Sequence, residues 1–148
     1  MDEASLLSQE SRNLFDRVRH QLHERHLYYK DFEWHPCHAI DLHKVGELNA
    51  HVDSIRFSGD VVAGLSLVSA SIMRFVPDDG TGDSKGDDLS QGWVDLYLPA
   101  RSLYVMSGVS RYHYSHQLLP SGSVFTNEGK PIAVERDHRL SVIFRDAK

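Results

Sequence analysis

His51-Val52-Asp53 is the first place in the chain where residue types and spacing could do chemistry. In a strand, side chains two residues apart project from the same face. An imidazole and a carboxylate at this spacing can reach one ion while Val52 points away. Two histidines and one carboxylate on one octahedral face leave three positions open, which is the arrangement of mononuclear Fe(II) oxygenases. An oxo acid and oxygen take those positions. The triplet alone is a weak signal, because any half-exposed strand pair has the same spacing. It needs a second histidine and an anchor for a co-substrate.

Both are available. Tyr112-His113-Tyr114-Ser115-His116 reads as a strand, with Tyr112, Tyr114 and His116 on one face and His113 on the other. Either histidine could complete the set. Further on, Arg139-Leu140-Ser141-Val142-Ile143-Phe144-Arg145 alternates in the same way. Leu140, Val142 and Phe144 make an apolar face, and Arg139, Ser141, Ile143 and Arg145 line the opposite one. At a strand rise of about 3.3 Å per residue, the two guanidinium groups stand roughly 20 Å apart. On an inward face they would be costly without anionic partners. A dicarboxylate such as 2-oxoglutarate is such a partner, since Arg grips carboxylate in a bidentate fork. A solvated edge strand is the competing reading of this segment.

These residues need elements to position them. Residues 4–27 read as one amphipathic helix, with Leu7, Leu14, Phe15, Val18 and Leu22 at spacings near 3.6. After Pro36 the period becomes two. Strands are expected near 37–43, 48–53, 61–68, 71–76, 93–98, 102–106, 112–117 and 139–145, separated by turn residues. One helix followed by about eight short strands, with no helices between them, predicts a mainly β fold: a double-stranded β-helix, or jelly roll. The organisation expected is a single domain over 1–148, with a helical extension at 1–34 and a jelly-roll core at 35–148. The acidic stretch at 78–88 lacks the residue order of a calcium loop and reads as a solvated hairpin loop.

The order His-x-Asp, then a histidine about 60 residues later, then Arg-x5-Arg resembles the AlkB family of Fe(II)/2-oxoglutarate dioxygenases. The local sequence adds to the likeness. His51-Val52-Asp53-Ser54-Ile55-Arg56-Phe57, Ala63-Gly64-Leu65-Ser66-Leu67, Ser102-Leu103-Tyr104-Val105 and Ser110-Arg111-Tyr112 are similar to a mitochondrial branch of that family. The likeness covers roughly residues 35–145. It implies His51, Asp53 and His116 as the iron ligands, His116 in preference to His113 because it closes the run that begins Ser-Arg. It implies Arg139 on the distal carboxylate of 2-oxoglutarate, Arg145 nearer the iron, and Tyr104 as a further co-substrate contact. Ser141 stands where the family often has Asn. The implied cofactors are Fe(II) and 2-oxoglutarate, and the implied partner is oxygen. The implied setting is the mitochondrial matrix, with a link to metabolism and regulated necrosis.

Composition bears on the prime substrate. The formal charge is −5, against the basic excess usual in nucleic-acid binders. Only 50 residues precede His51, little room for the lid with which base-repairing relatives grip a nucleotide, and the resemblance implies either a shortened relative or an incomplete gene model. A protein or small-molecule substrate is therefore favoured over nucleic acid, with RNA-base demethylation and a non-catalytic metal-holding module as the other readings. Cys37 is the only cysteine, so no internal disulfide can form. No apolar run reaches the length of a membrane span. The start, Met1-Asp2-Glu3-Ala4, shows no presequence. His20, His23 and His26 fit a solvated helix face. Trp93 and Tyr97 read as packing residues.

Overall fold

The computed structural model describes residues 7–26, 33–78, 89–90 and 92–147. The first residues of the expected helix and nearly all of the acidic stretch lie outside this set. Helix α1 spans Gln9–His26. Its apolar stripe buries Phe15, Val18 and Leu22 against Ala63, Val142 and Phe144, with Leu7 and Leu14 partly buried beside them. The Phe15 and Phe144 rings meet edge to face at 5.7 Å, a favoured aromatic geometry.

Strands β1 (His38–Leu42), β2 (Leu48–His51), β3 (Val61–Leu67), β4 (Ser71–Pro77), β5 (Val94–Leu98) and β6 (Ser102–Ser107) follow. Then come a four-residue helix α2 (Val109–Tyr112), β7 (Tyr114–Leu118), β8 (Ser123–Asn127), β9 (Lys130–Val134) and β10 (Arg139–Arg145). One sheet has the order β1-β10-β3-β6 and the other β2-β7-β4-β5. All pairings in both are antiparallel. The chain passes back and forth between the two sheets, as a jelly roll requires. Val62, Met73, Leu98, Tyr104, Met106, Leu118 and Ile143 fill the space between them. One sheet thus has two covered faces: β3 and β10 turn Ala63, Val142 and Phe144 toward α1 and their alternate residues inward.

Three expectations need correction. Strand β2 ends at His51, so Asp53 belongs to the loop after it and not to the strand. Tyr112 closes α2, and β7 begins only at Tyr114. The hairpin β8–β9 was not expected. Pro131 and the polar ends of both strands hide its alternation. Its signal is the two-residue turn Glu128-Gly129, with φ of 49° and 78°, the positive-φ pair that such hairpins need. Trp93 and Tyr97 are half exposed, at 49% and 41%. Trp93 lies under the Arg74 guanidinium and Tyr97 against Phe125, so neither belongs to the core.

Candidate metal centre and co-substrate cavity

His51 and His116 sit directly opposite each other on β2 and β7. Cross-strand neighbours on one face are close enough for their side chains to meet, and the two imidazole centroids are 4.3 Å apart. The loop leaving β2 brings Asp53 Oδ1 to 3.6 Å from His51 Nε2. One candidate ligand atom from each of His51, Asp53 and His116 lies within 4.8 Å of the other two. His113 is exposed at the end of α2 and takes no part.

The charge states of the three side chains suit a divalent cation. Burial pushes the Asp53 carboxyl up, but the contact with His51 and the Arg145 and His116 charges outweigh it, and the group sits well below the usual carboxylate range. Burial, then His51, pulls His116 down to about 4, so its ring is neutral at pH 7 and its nitrogens meet no proton competition. The Asp53 contact raises His51 against the opposing effect of burial. His51 Nδ1 is 2.8 Å from the Asn49 carbonyl oxygen. A carbonyl can only accept, so Nδ1 carries the proton and Nε2 faces Asp53. A metal-ligating histidine needs this kind of support.

A narrow cavity of about 30 Å³ runs from these residues between the sheets to Tyr104 and Arg139. Ile40, Ser141, Ile143 and Arg145 also line it. Arg139 is 2% exposed and donates through Nε to Ser66 Oγ at 3.0 Å. Its Nη2 and the Ser141 hydroxyl are buried with no hydrogen-bond partner among the described residues. Burial lowers the Arg139 pKa, and Tyr104 opposes that shift. Burial pushes the Tyr104 phenol up, while Arg139 draws it down. No carboxylate among the described residues pairs with Arg139 within ion-pair distance. A buried guanidinium in that state is costly and fits an incoming carboxylate. Arg145 differs: its Nη2 lies 3.2 Å from Asp53 Oδ1, on the metal side. Asp53 and Arg145 also border a second, open cavity of about 360 Å³, with His35, His38, Phe57 and Ser58.

No protein-family model matches the chain. Among curated proteins, the chain is similar to the mitochondrial alpha-ketoglutarate-dependent dioxygenase alkB homolog 7 of Bos taurus. The two are 39% identical over 108 residues, 73% of this chain and 43% of the relative. The Mus musculus protein of the same name is 37% identical over 110 residues, 74% and 44% of the two chains. This chain is an AlkB-family sequence. A third similar protein, the Mus musculus tRNA (carboxymethyluridine(34)-5-O)-methyltransferase ALKBH8, is 29% identical over 129 residues, which cover 78% of this chain and 17% of that one. The chain thus spans less than half the length of the curated relatives it matches.

The candidate site contains residues to which sequence reasoning gave no role. Gly64 lies in register with Tyr104 on the neighbouring strand, under its ring. A glycine inside a strand is the available signal for such close approach. Arg111 is 2% exposed and donates to the carbonyl oxygens of Asp53 at 2.8 Å and Ser54 at 3.3 Å. Asp146 accepts from the backbone N–H groups of Asp60 and Val61 at 3.1 and 2.8 Å, closing the far end of the same loop. Arg111 opens the run that His116 closes, but neither it nor Asp146 has a ligand role of its own.

Proposed function

We propose that this chain is the Fe(II)- and 2-oxoglutarate-binding core of a dioxygenase, organised as one AlkB-like domain with a helical extension at 1–34 and its core at 35–148. His51, Asp53 and His116 are the iron ligands in this reading. Arg139 and Tyr104 hold the distal carboxylate of 2-oxoglutarate, and Arg145 serves its iron-side end. The observation that carries the proposal is the pair of buried polar groups without partners, Arg139 Nη2 and Ser141 Oγ. They lie in the same cavity that begins at the three candidate ligands. Hydrophobic packing alone would not retain a buried cation there.

Fe(II), when bound, supplies oxygen activation, which couples decarboxylation of 2-oxoglutarate to succinate with oxidation of a C–H bond in the prime substrate. The protein's part is positional and electrostatic. Asp53 brings a carboxylate that stays ionised, and His116 brings a neutral ring. Asn49 fixes the His51 ring through its carbonyl. Arg139 orients the co-substrate by a charge-assisted fork. Val62, Met73, Met106 and Ile143 give the cavity apolar walls. At about 30 Å³ that cavity has room for two or three water molecules, so a five-carbon diacid must displace lining side chains. Arg145, its side chain 23% exposed and held among the described residues by one side-chain contact, to Asp53, is the group best placed to swing aside.

The open cavity beside Asp53 and Arg145 is of ligand-binding size and is where the prime substrate would approach. The negative formal charge favours a protein or small-molecule substrate, hydroxylated or demethylated, over nucleic acid. The two alkB homolog 7 relatives are named as mitochondrial, which supports a mitochondrial location; the matrix is the compartment this reading assigns. No helix of the described residues is long and apolar enough to cross a membrane. The test is succinate release from 2-oxoglutarate by purified protein with Fe(II), ascorbate and oxygen. The reading expects slow turnover without prime substrate and its loss in Asp53→Ala. No succinate from well-folded, iron-loaded protein would count against catalysis.

A further inference from the structure

Asp53 differs from the two histidines in one physical respect. His51 and His116 stand on paired strands, whereas Asp53 stands on the irregular segment between β2 and β3. A loop has many conformations of its own, so something outside it must fix the carboxylate.

Arg111 does this in the geometry. Its guanidinium is buried and is ringed by carbonyl oxygens of that one segment. Nη1 donates to Asp53 at 2.8 Å and Nε to Gly59 at 3.2 Å. Nη2 reaches Ser54 at 3.3 Å and Ser58 at 3.5 Å. The fixed fork of five N–H donors suits this task as a lysine ammonium does not. Tyr112 adds a second fastening, its hydroxyl donating to Asp60 Oδ1 at 2.7 Å. Both residues belong to α2, which leads within a few residues to His116 on β7. The Asp53 and Ser54 carbonyls belong to the two peptide units on either side of Ser54, the first of them joined directly to the Asp53 Cα. Holding them fixes the backbone from which the ligand side chain projects.

We propose that Arg111 is the positioning residue of the metal carboxylate: it fastens the Asp53 loop to the turn that leads into His116, so that three ligands from two places in the chain form one preset site. The inference rests on the metal-centre reading above. It goes beyond it by assigning metal affinity to a residue that does not touch the metal.

The test is Co(II) titration of the full chain without oxo acid, followed by the visible ligand-field absorption of the bound ion, with thermal unfolding of each metal-free variant recorded alongside. Arg111→Gln is expected to weaken Co(II) binding roughly 10- to 100-fold, the range for residues that support metal ligands. Arg111→Lys should recover part of the loss. A double-mutant cycle separates positioning from general loosening. In the Asp53→Ala background, Arg111→Gln should weaken Co(II) binding no further. Equal weakening in both backgrounds would overturn the proposal. If Arg111→Gln does not fold, Tyr112→Phe replaces it; a smaller loss of affinity, again confined to the Asp53 background, supports the inference, and unchanged affinity overturns it. Wild-type protein that binds no Co(II), or binds it equally after His51→Ala, would remove the metal-centre reading itself. Wild-type binding that requires His51 but ignores Arg111→Gln would remove only this inference.

Discussion

The ring of Tyr104 fills the space that a side chain at Gly64 would need: a Cβ placed there would stand 2.2 Å from Tyr104 Cζ and 2.3 Å from its hydroxyl oxygen. The two residues are register partners on β3 and β6. The glycine therefore lets the phenol lie against the sheet, where its hydroxyl neighbours Arg139.

Gly64→Ala should displace Tyr104 from that position. Overpacking at a site of this kind costs about 1–3 kcal/mol of stability. Co-substrate binding should weaken by about 1.5–3 kcal/mol, the range for a hydrogen bond to a charged group. Titration of 2-oxoglutarate into metal-loaded protein checks this. Unchanged affinity would mean that Tyr104 does not serve the co-substrate.

Arg139→Met should move stability and binding in opposite directions. Without ligand, the substitution removes a buried cation whose Nη2 has no partner, and replacing such groups by apolar ones of similar volume is often neutral or stabilising. With ligand, it removes the partner of a buried carboxylate, a loss of about 2–5 kcal/mol. Thermal unfolding with and without 2-oxoglutarate measures both. A variant less stable than wild type in the absence of ligand, yet equally stabilised by it, contradicts the assignment.

Acid should destabilise the metal-free protein before its carboxylates titrate. His116 falls to about 4 in the fold from an ordinary value of 6.5. Between these values the unfolded chain binds the extra proton, so stability is full above pH 6.5 and is lost as pH falls through 4. The shift corresponds to about 3 kcal/mol at most. His51, raised by Asp53, works in the opposite sense and offsets part of it. Urea unfolding in EDTA at several pH values between 7 and 4 checks the sign. Stability that holds level over that window would show that His116 is not buried as neutral imidazole.

Much of this was legible in the sequence because the information is periodic. Alternation in β10 puts Arg139 and Ser141 inward and Val142 and Phe144 under α1. The 3.6-residue stripe of α1 is the matching surface. The mainly β, jelly-roll character followed from strand signals without intervening helices. Asp53 shows the limit. Its distance from His51 agrees with the strand argument, but β2 ends one residue after Ala50, and the carboxylate arrives by a loop turn held from Arg111. No local pattern encodes a contact 58 residues away. Gly64 and Asp146 went unread for the same reason, since their meaning lies in what stands opposite. The hairpin β8–β9 was hidden by its own exposure, as Val124 and Ile132 are about half exposed and mark no buried face.

In the proposed function, His51, Asp53 and His116 hold Fe(II) at one end of a cavity whose other end receives a 2-oxo acid. Anaerobic visible absorption tests it most directly, because a 2-oxo acid chelated to Fe(II) gives a charge-transfer band that neither component shows alone. Wild-type protein should develop the band with one equivalent each of Fe(II) and 2-oxoglutarate, and His116→Ala should not. A band that persists in His116→Ala, or none in folded wild-type protein, would contradict the account.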